Sequence, residues 1–197
     1  CQTICAELHV IAVLTCLWVV EGFPPRGLQG HNYSCPLFWE HFYEEVGEPW
    51  EWYSVSLEEA FQELRTDLTS ADLPGAGASV LHIGCGTSDW SIGLASRGWN
   101  VTSIDRSRRA VQFMQSQHPE QPMLRFREMD ALNLDLPDGT FDLVIEKGTL
   151  HALGLGSPGS FKVISEVSRV LRAGGLVISV SAATHSTIQP LQVAFSD

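Results

Sequence analysis

Between residues 80 and 105 the chain places groups that could hold a nucleoside. Val80-Leu81-His82-Ile83 runs into Gly84-Cys85-Gly86-Thr87-Ser88, and a second strand, Val101-Thr102-Ser103-Ile104, ends on Asp105 about 20 residues after the loop. Glycines at 84 and 86 let backbone approach a ligand closely, and a carboxylate at the next strand's end accepts hydrogen bonds from ribose hydroxyls. A pyrophosphate is disfavoured. A dinucleotide loop carries a third glycine that brings a helix N-terminus against the phosphates; this chain continues Thr87-Ser88-Asp89-Trp90, with an acid where a phosphate would sit. A nucleoside without phosphate, such as S-adenosylmethionine, suits the loop better.

Strands and helices must alternate to position these groups. Residues 107–117 read as a helix, with Ser107 as its cap and Ala110, Val111 and Met114 at helical spacing; His118-Pro119 ends it. A strand over 124–129 stops at Asp130-Ala131. Turn chemistry at Pro137-Asp138-Gly139 feeds Phe141-Asp142-Leu143-Val144-Ile145, which runs into Glu146-Lys147-Gly148-Thr149. An amphipathic helix over 160–171 is expected to end at Gly174-Gly175, followed by a fifth strand over 176–180. Five strands alternating with helices imply an α/β fold, a Rossmann-like, doubly wound, mainly parallel sheet. Ligands of such sheets bind outside the carboxyl ends of the strands, where Asp105, Asp130 and Glu146-Lys147 all fall.

Over residues 33–181 the chain resembles the class I S-adenosylmethionine-dependent methyltransferases. Gly84-Cys85-Gly86-Thr87-Ser88 and Glu146-Lys147-Gly148-Thr149-Leu150 are similar to a subgroup containing protein-lysine methyltransferases of elongation factor 1A and of citrate synthase. Phe38-Trp39-Glu40-His41-Phe42-Tyr43, followed by Trp50-Glu51-Trp52-Tyr53, resembles that subgroup's aromatic signature. The resemblance implies S-adenosylmethionine as cofactor. Gly84, Cys85 and Gly86 would floor its methionine part, Asp105 would take the ribose with Arg106 beside the adenine, and Asp130 and Ala131 would meet the adenine edge. Lys147 would contact the cofactor, and Trp39, Tyr43 and Trp52 would close over the sulfonium, a cation that aromatic faces stabilise.

Three positions depart from the pattern. His151 stands where the subgroup carries an acid; a histidine can take the proton of a target amine but cannot attract an ammonium as a carboxylate does. His151 and Glu146 are the candidate catalytic residues. Phe42 replaces a usual arginine, and His82 occupies a strand position where many relatives carry an acid.

Two units are expected: residues 1–30, an apolar segment and linker, and residues 31–197, the methyltransferase domain. His9 opens a run to Val20 that is apolar but for Thr15. It is too short for a bilayer span and lacks the basic stretch preceding a signal sequence, which leaves an anchor, a signal or a buried docking helix. Ser56-Leu57-Glu58-Glu59 is a capping box opening a helix through residue 68. After the fifth strand only residues 182–197 remain, so the fold's C-terminal strands read as incomplete and its sheet edge as open, a place for a partner.

The formal charge of −11, from 12 basic and 23 acidic residues, argues against nucleic acid and for a protein substrate with a basic surface. Five cysteines without metal-ligand spacing point to reduced thiols in an intracellular compartment, cytoplasmic or organellar, with membrane association through residues 1–20 left open. The leading expectation is methyl transfer from S-adenosylmethionine to a nitrogen, a protein lysine. The alternative is a methyltransferase-fold subunit with a structural, non-catalytic role in a larger or membrane-bound assembly. A small-molecule acceptor is a third reading, because fold and cofactor motifs do not select the acceptor.

Overall fold

The computed structural model describes residues 10–15, 32–46, 49–53, 55–64 and 73–181. Among the described residues six strands form one parallel sheet: β1 (Val10–Thr15), β2 (Ser79–Ile83), β3 (Asn100–Asp105), β4 (Leu124–Glu128), β5 (Phe141–Lys147) and β6 (Leu171–Ser181). Their spatial order is β1-β6-β5-β2-β3-β4, so the chain winds outward from β2 in both directions. The helices are α1 (Pro36–Val46), α2 (Leu57–Leu64), α3 (Trp90–Ala95), α4 (Arg108–Gln117), the single turn α5 (Thr149–Ala152) and α6 (Pro158–Val170).

Period-two alternation splits the strand residues between two cores. Val80, Leu143, Ile145 and Ile178 face α2, α3 and α4, where Phe61, Trp90, Leu94 and Met114 meet them. Leu81, Ile83, Val144 and Val177 face the opposite way, onto Val163, Val167 and Val170 of α6. Burial of both sheet faces explains why these strands read as continuous apolar runs. His82 points into the first core, fully enclosed. Its Nδ1 lies 2.9 Å from Ser91 Oγ, which also receives the Ser103 hydroxyl at 2.9 Å. Burial holds the imidazole down at about 4, hence neutral near pH 7.

Caps fall where the sequence places them. Ser107 Oγ accepts from Ala110 N–H at 3.3 Å, and Ser56 and Glu59 exchange backbone N–H bonds of 3.2 and 2.8 Å. Three expectations are corrected. Over Val10–Thr15 the apolar run is a strand and not a helix, in line with its β-branched valines and isoleucine. It pairs with β6 from Val10↔Leu176 to Thr15↔Ser181, so the β6 edge expected to be open is covered. Helix α6 stops at Val170, ahead of the Gly174-Gly175 pair, because Leu171 turns extended (φ −74°, ψ 135°) and pairs with Phe141. The glycines lie instead where the β5–β6 register shifts between Phe141 and Leu143. The further strand expected over 187–195 and the end of α2 at 65–68 lie outside the described residues. No helix among the described residues is long and apolar enough to cross a membrane.

Candidate active site

The carboxyl ends of β2, β3 and β5, the loop after β4, and a cap formed by α1 and residues 49–53 line a cavity of about 840 Å³, its open mouth included. At its centre is Asp105. One carboxylate oxygen accepts from Gly86 N–H and the other from Ser107 N–H, both at 2.8 Å, so the side chain is fixed and each oxygen keeps a lone pair to offer. Burial raises this carboxyl's pKa against the pull of those two amides. The loop leading to it needs glycine twice: φ is 61° at Gly84 and 52° at Gly86. A Cβ at 84 would strike the Thr149 hydroxyl, and one at 86 the Tyr43 hydroxyl.

Beyond Asp105, Ile104 and Met129 supply apolar wall, while Asp130 and Ala131 follow at the end of β4. Asp130 accepts from Leu132 N–H at 3.0 Å and lies 3.8 Å from Arg106, whose Nη1 donates to the Ser34 carbonyl at 3.2 Å.

The cap is an aromatic assembly built around a residue that does not touch the cavity. Phe42, 6% exposed, has the rings of Phe38, Trp39, Tyr43, Trp50 and Trp52 at centroid distances of 5.1 to 6.0 Å. That hub turns Trp39, Tyr43 and Trp52 toward the cavity, beside Tyr33 and Tyr53. An arginine at 42 would bury an unpaired charge there. Burial and the Asp105 carboxylate push the Tyr43 phenol well up, so it stays protonated. Polar latches hold the cap to the sheet. Glu40 accepts from the Ser107 hydroxyl at 2.7 Å, Arg109 pairs with Glu44 at 2.7 Å, and Trp50 N–H donates to Thr87 Oγ1 at 2.8 Å.

The β5–α5 corner forms the remaining wall. Glu146 is buried and does not line the cavity. One oxygen accepts from Thr149 N–H (2.8 Å) and Leu150 N–H (3.2 Å), and the other from the Ser179 hydroxyl. Burial lifts its carboxyl to about 7. Lys147, next along the strand, faces the cavity, pairs with Glu51, and lies 4.5 Å from the Trp90 ring centroid. Burial pulls its ammonium down to about 7. His151 lines the cavity half-buried, its Nδ1 3.3 Å from Ser181 Oγ. Burial lowers its pKa, so the ring is neutral at pH 7.

Trp39, Tyr43, Trp52, Gly84, Asp105, Arg106, Asp130, Ala131, Lys147 and His151 therefore share one cavity. Cys85, Gly86 and Glu146 stand behind it. The Cys85 thiol points into the first core, its pKa raised by burial, and Gly86 serves through its amide. Sequence reasoning missed Tyr33, Tyr53, Ile104, Met129 and Thr149 in the wall, and Glu40 and Glu51 as latches. The Glu40/Glu44 pair at i, i+4, facing the basic Arg108-Arg109, was the readable signal for the first latch.

A family described as "Methyltransferase domain" matches residues 81–179. EEF1A lysine methyltransferase 4 of Bos taurus is 34% identical over 188 residues, 87% of this chain and 71% of that protein. Its Mus musculus counterpart is 36% identical over 166 residues, 77% of this chain. The aligned part spans 62% of the mouse protein's length. Among solved structures, the [4+2]-cyclase SpnF superposes with a TM-score of 0.54 at 25% identity, over 74% of this chain and 57% of that one.

Proposed function

The chain belongs to the class I S-adenosylmethionine-dependent methyltransferases, and from that premise we propose that it methylates a lysine side chain of a protein with a basic surface. One observation carries the reading: Asp105, fixed by two amides, shares its cavity with the aromatic wall of Trp39, Tyr43 and Trp52. These residues fit S-adenosylmethionine. The acid suits a ribose, Ile104 and Met129 suit a flat base with Asp130 at its edge, and the rings suit a sulfonium cation. Bound there, the cofactor supplies an electrophilic methyl group.

The chain's own part is positioning and proton removal. Trp39, Trp52 and Tyr53 exclude water, so an incoming amine is desolvated and aligned. His151, neutral at pH 7, takes the proton the amine nitrogen gives up on forming its new bond to carbon. Glu146 acts through α5: by accepting the Thr149 and Leu150 amides it fixes the turn that carries His151, and is a positioning residue. The relatives' names point to elongation factor 1A as the first acceptor to try, and the chain's charge of −11 suits a basic partner. The free thiols of Cys35 and Cys85 suit an intracellular compartment. No observation favours a structural subunit of a membrane assembly.

The test incubates the chain with labelled S-adenosylmethionine and elongation factor 1A, and locates the label by mass spectrometry. Label on a lysine is expected, with His151→Gln lowering kcat and leaving the KM for the cofactor unchanged. Cofactor binding without lysine labelling would overturn the acceptor, and absence of binding the whole reading.

A further inference from the structure

Lys147 and Arg106 are the lysine and arginine lining the cavity, and they are held differently. Arg106 lies at the rim, drawn to Asp130 and the Ser34 carbonyl. Lys147 is enclosed: its side chain is 4% exposed, one side lies against Trp90, and Glu51 meets its Nζ. Glu51 itself is 35% exposed and is not part of the cavity lining, its other oxygen accepting from Asp89 N–H at 3.1 Å. An ammonium so enclosed is stable only with an anion against it. In this structure the anion is a side chain from the cap rather than from the cavity wall.

We propose that Lys147 reads the carboxylate at the amino-acid end of the bound nucleoside, and that Glu51 is the chain's own stand-in for that carboxylate, yielding the ammonium when the ligand enters. The inference rests on the S-adenosylmethionine reading above. Ligand entry is then an exchange of one carboxylate for another, and Lys147 is never left as an unpaired buried charge. Affinity is the difference between two ion pairs. Weakening the internal one tightens the external one, and a ligand without a carboxylate gains nothing from Lys147.

The experiment titrates the full chain calorimetrically with S-adenosylmethionine and with 5′-methylthioadenosine, which keeps the nucleoside and lacks the amino-acid carboxylate. Glu51→Gln keeps an acceptor for the Asp89 amide and removes the competing charge; it is expected to bind S-adenosylmethionine several-fold more tightly and 5′-methylthioadenosine as the unaltered chain does. Lys147→Met, which removes both ion pairs at once, is expected to lose their difference, a several-fold weakening for S-adenosylmethionine, and nothing for 5′-methylthioadenosine. A merely structural Lys147 would move both ligands together, and that result would overturn the proposal. So would weaker S-adenosylmethionine binding by Glu51→Gln. If the unaltered chain binds neither ligand, the nucleoside reading falls and takes this one with it; if it binds both and neither variant changes their ratio, this one falls alone.

Discussion

β3 and β5 flank the central strand, and each carries a buried acid near its carboxyl end: Asp105 on one side, Glu146 on the other. Both are raised by burial and both accept backbone amides. They differ in where those amides come from. Asp105 divides its oxygens between Gly86 and Ser107, on loops that border the cavity, and keeps a face toward it. Glu146 gives one oxygen to the first turn of α5 and the other to Ser179 of β6, and faces no cavity. Places one residue apart in the sheet's register, since Ile83 pairs with both Ile104 and Glu146, thus yield a cavity-facing carboxylate and a corner post. The direction of the side chain decides between them, and Lys147, one residue past Glu146, takes the cavity side instead.

Several substitutions would break or sharpen this contrast. Glu146→Ala should have the largest effect on stability, about 3 kcal/mol in urea unfolding, because two amides and a hydroxyl lose their buried acceptor. Glu146→Gln should recover most of it. The same pair reports the titration of the group. Burial raises Glu146 from 4.5 to about 7, so the folded chain holds a proton that the unfolded chain releases. Its contribution is complete below pH 4.5 and lost as pH rises to 7. The melting temperature of the unaltered chain, measured against Glu146→Gln, should therefore fall across that window and run parallel outside it.

On the Asp105 side, Gly86→Ala should cost about 2 kcal/mol, from its positive φ and the collision with the Tyr43 hydroxyl. Tyr43→Phe should return part of that loss in the double variant, measured by the same unfolding. The smallest effect belongs to the cap's outer latch. Arg109→Ala breaks an ion pair whose partners are about half exposed and should change stability by less than about 0.5 kcal/mol.

The Asp105 side was legible in the sequence and the Glu146 side was not. Gly84, Gly86, Asp105 and Asp130 lie where local chain geometry puts them, at strand ends marked by apolar runs and turn residues. Glu146 reads as catalytic because strand periodicity does not say which face of the last residues meets a ligand; Ser179, which helps to hold it, is 33 residues away. The cap was legible as an aromatic signature, but Phe42's role as its hub depends on five rings arriving from two segments. Glu51–Lys147 joins residues 96 apart and has no local signal. Val10–Thr15 was misread for a related reason: an apolar run of that length suits a helix or a strand, and the choice fell to pairing with β6 at the far end of the chain.

The most direct test of the contrast is one titration series: S-adenosylmethionine into the unaltered chain, Asp105→Asn and Glu146→Gln at a temperature where all three are folded. The account predicts that Asp105→Asn loses about a hundredfold in affinity, two charge-assisted hydrogen bonds to the ligand, while Glu146→Gln binds within about threefold of the unaltered chain, a change below about 1 kcal/mol. Retained affinity in Asp105→Asn together with a large loss in Glu146→Gln would reverse the two roles and contradict it.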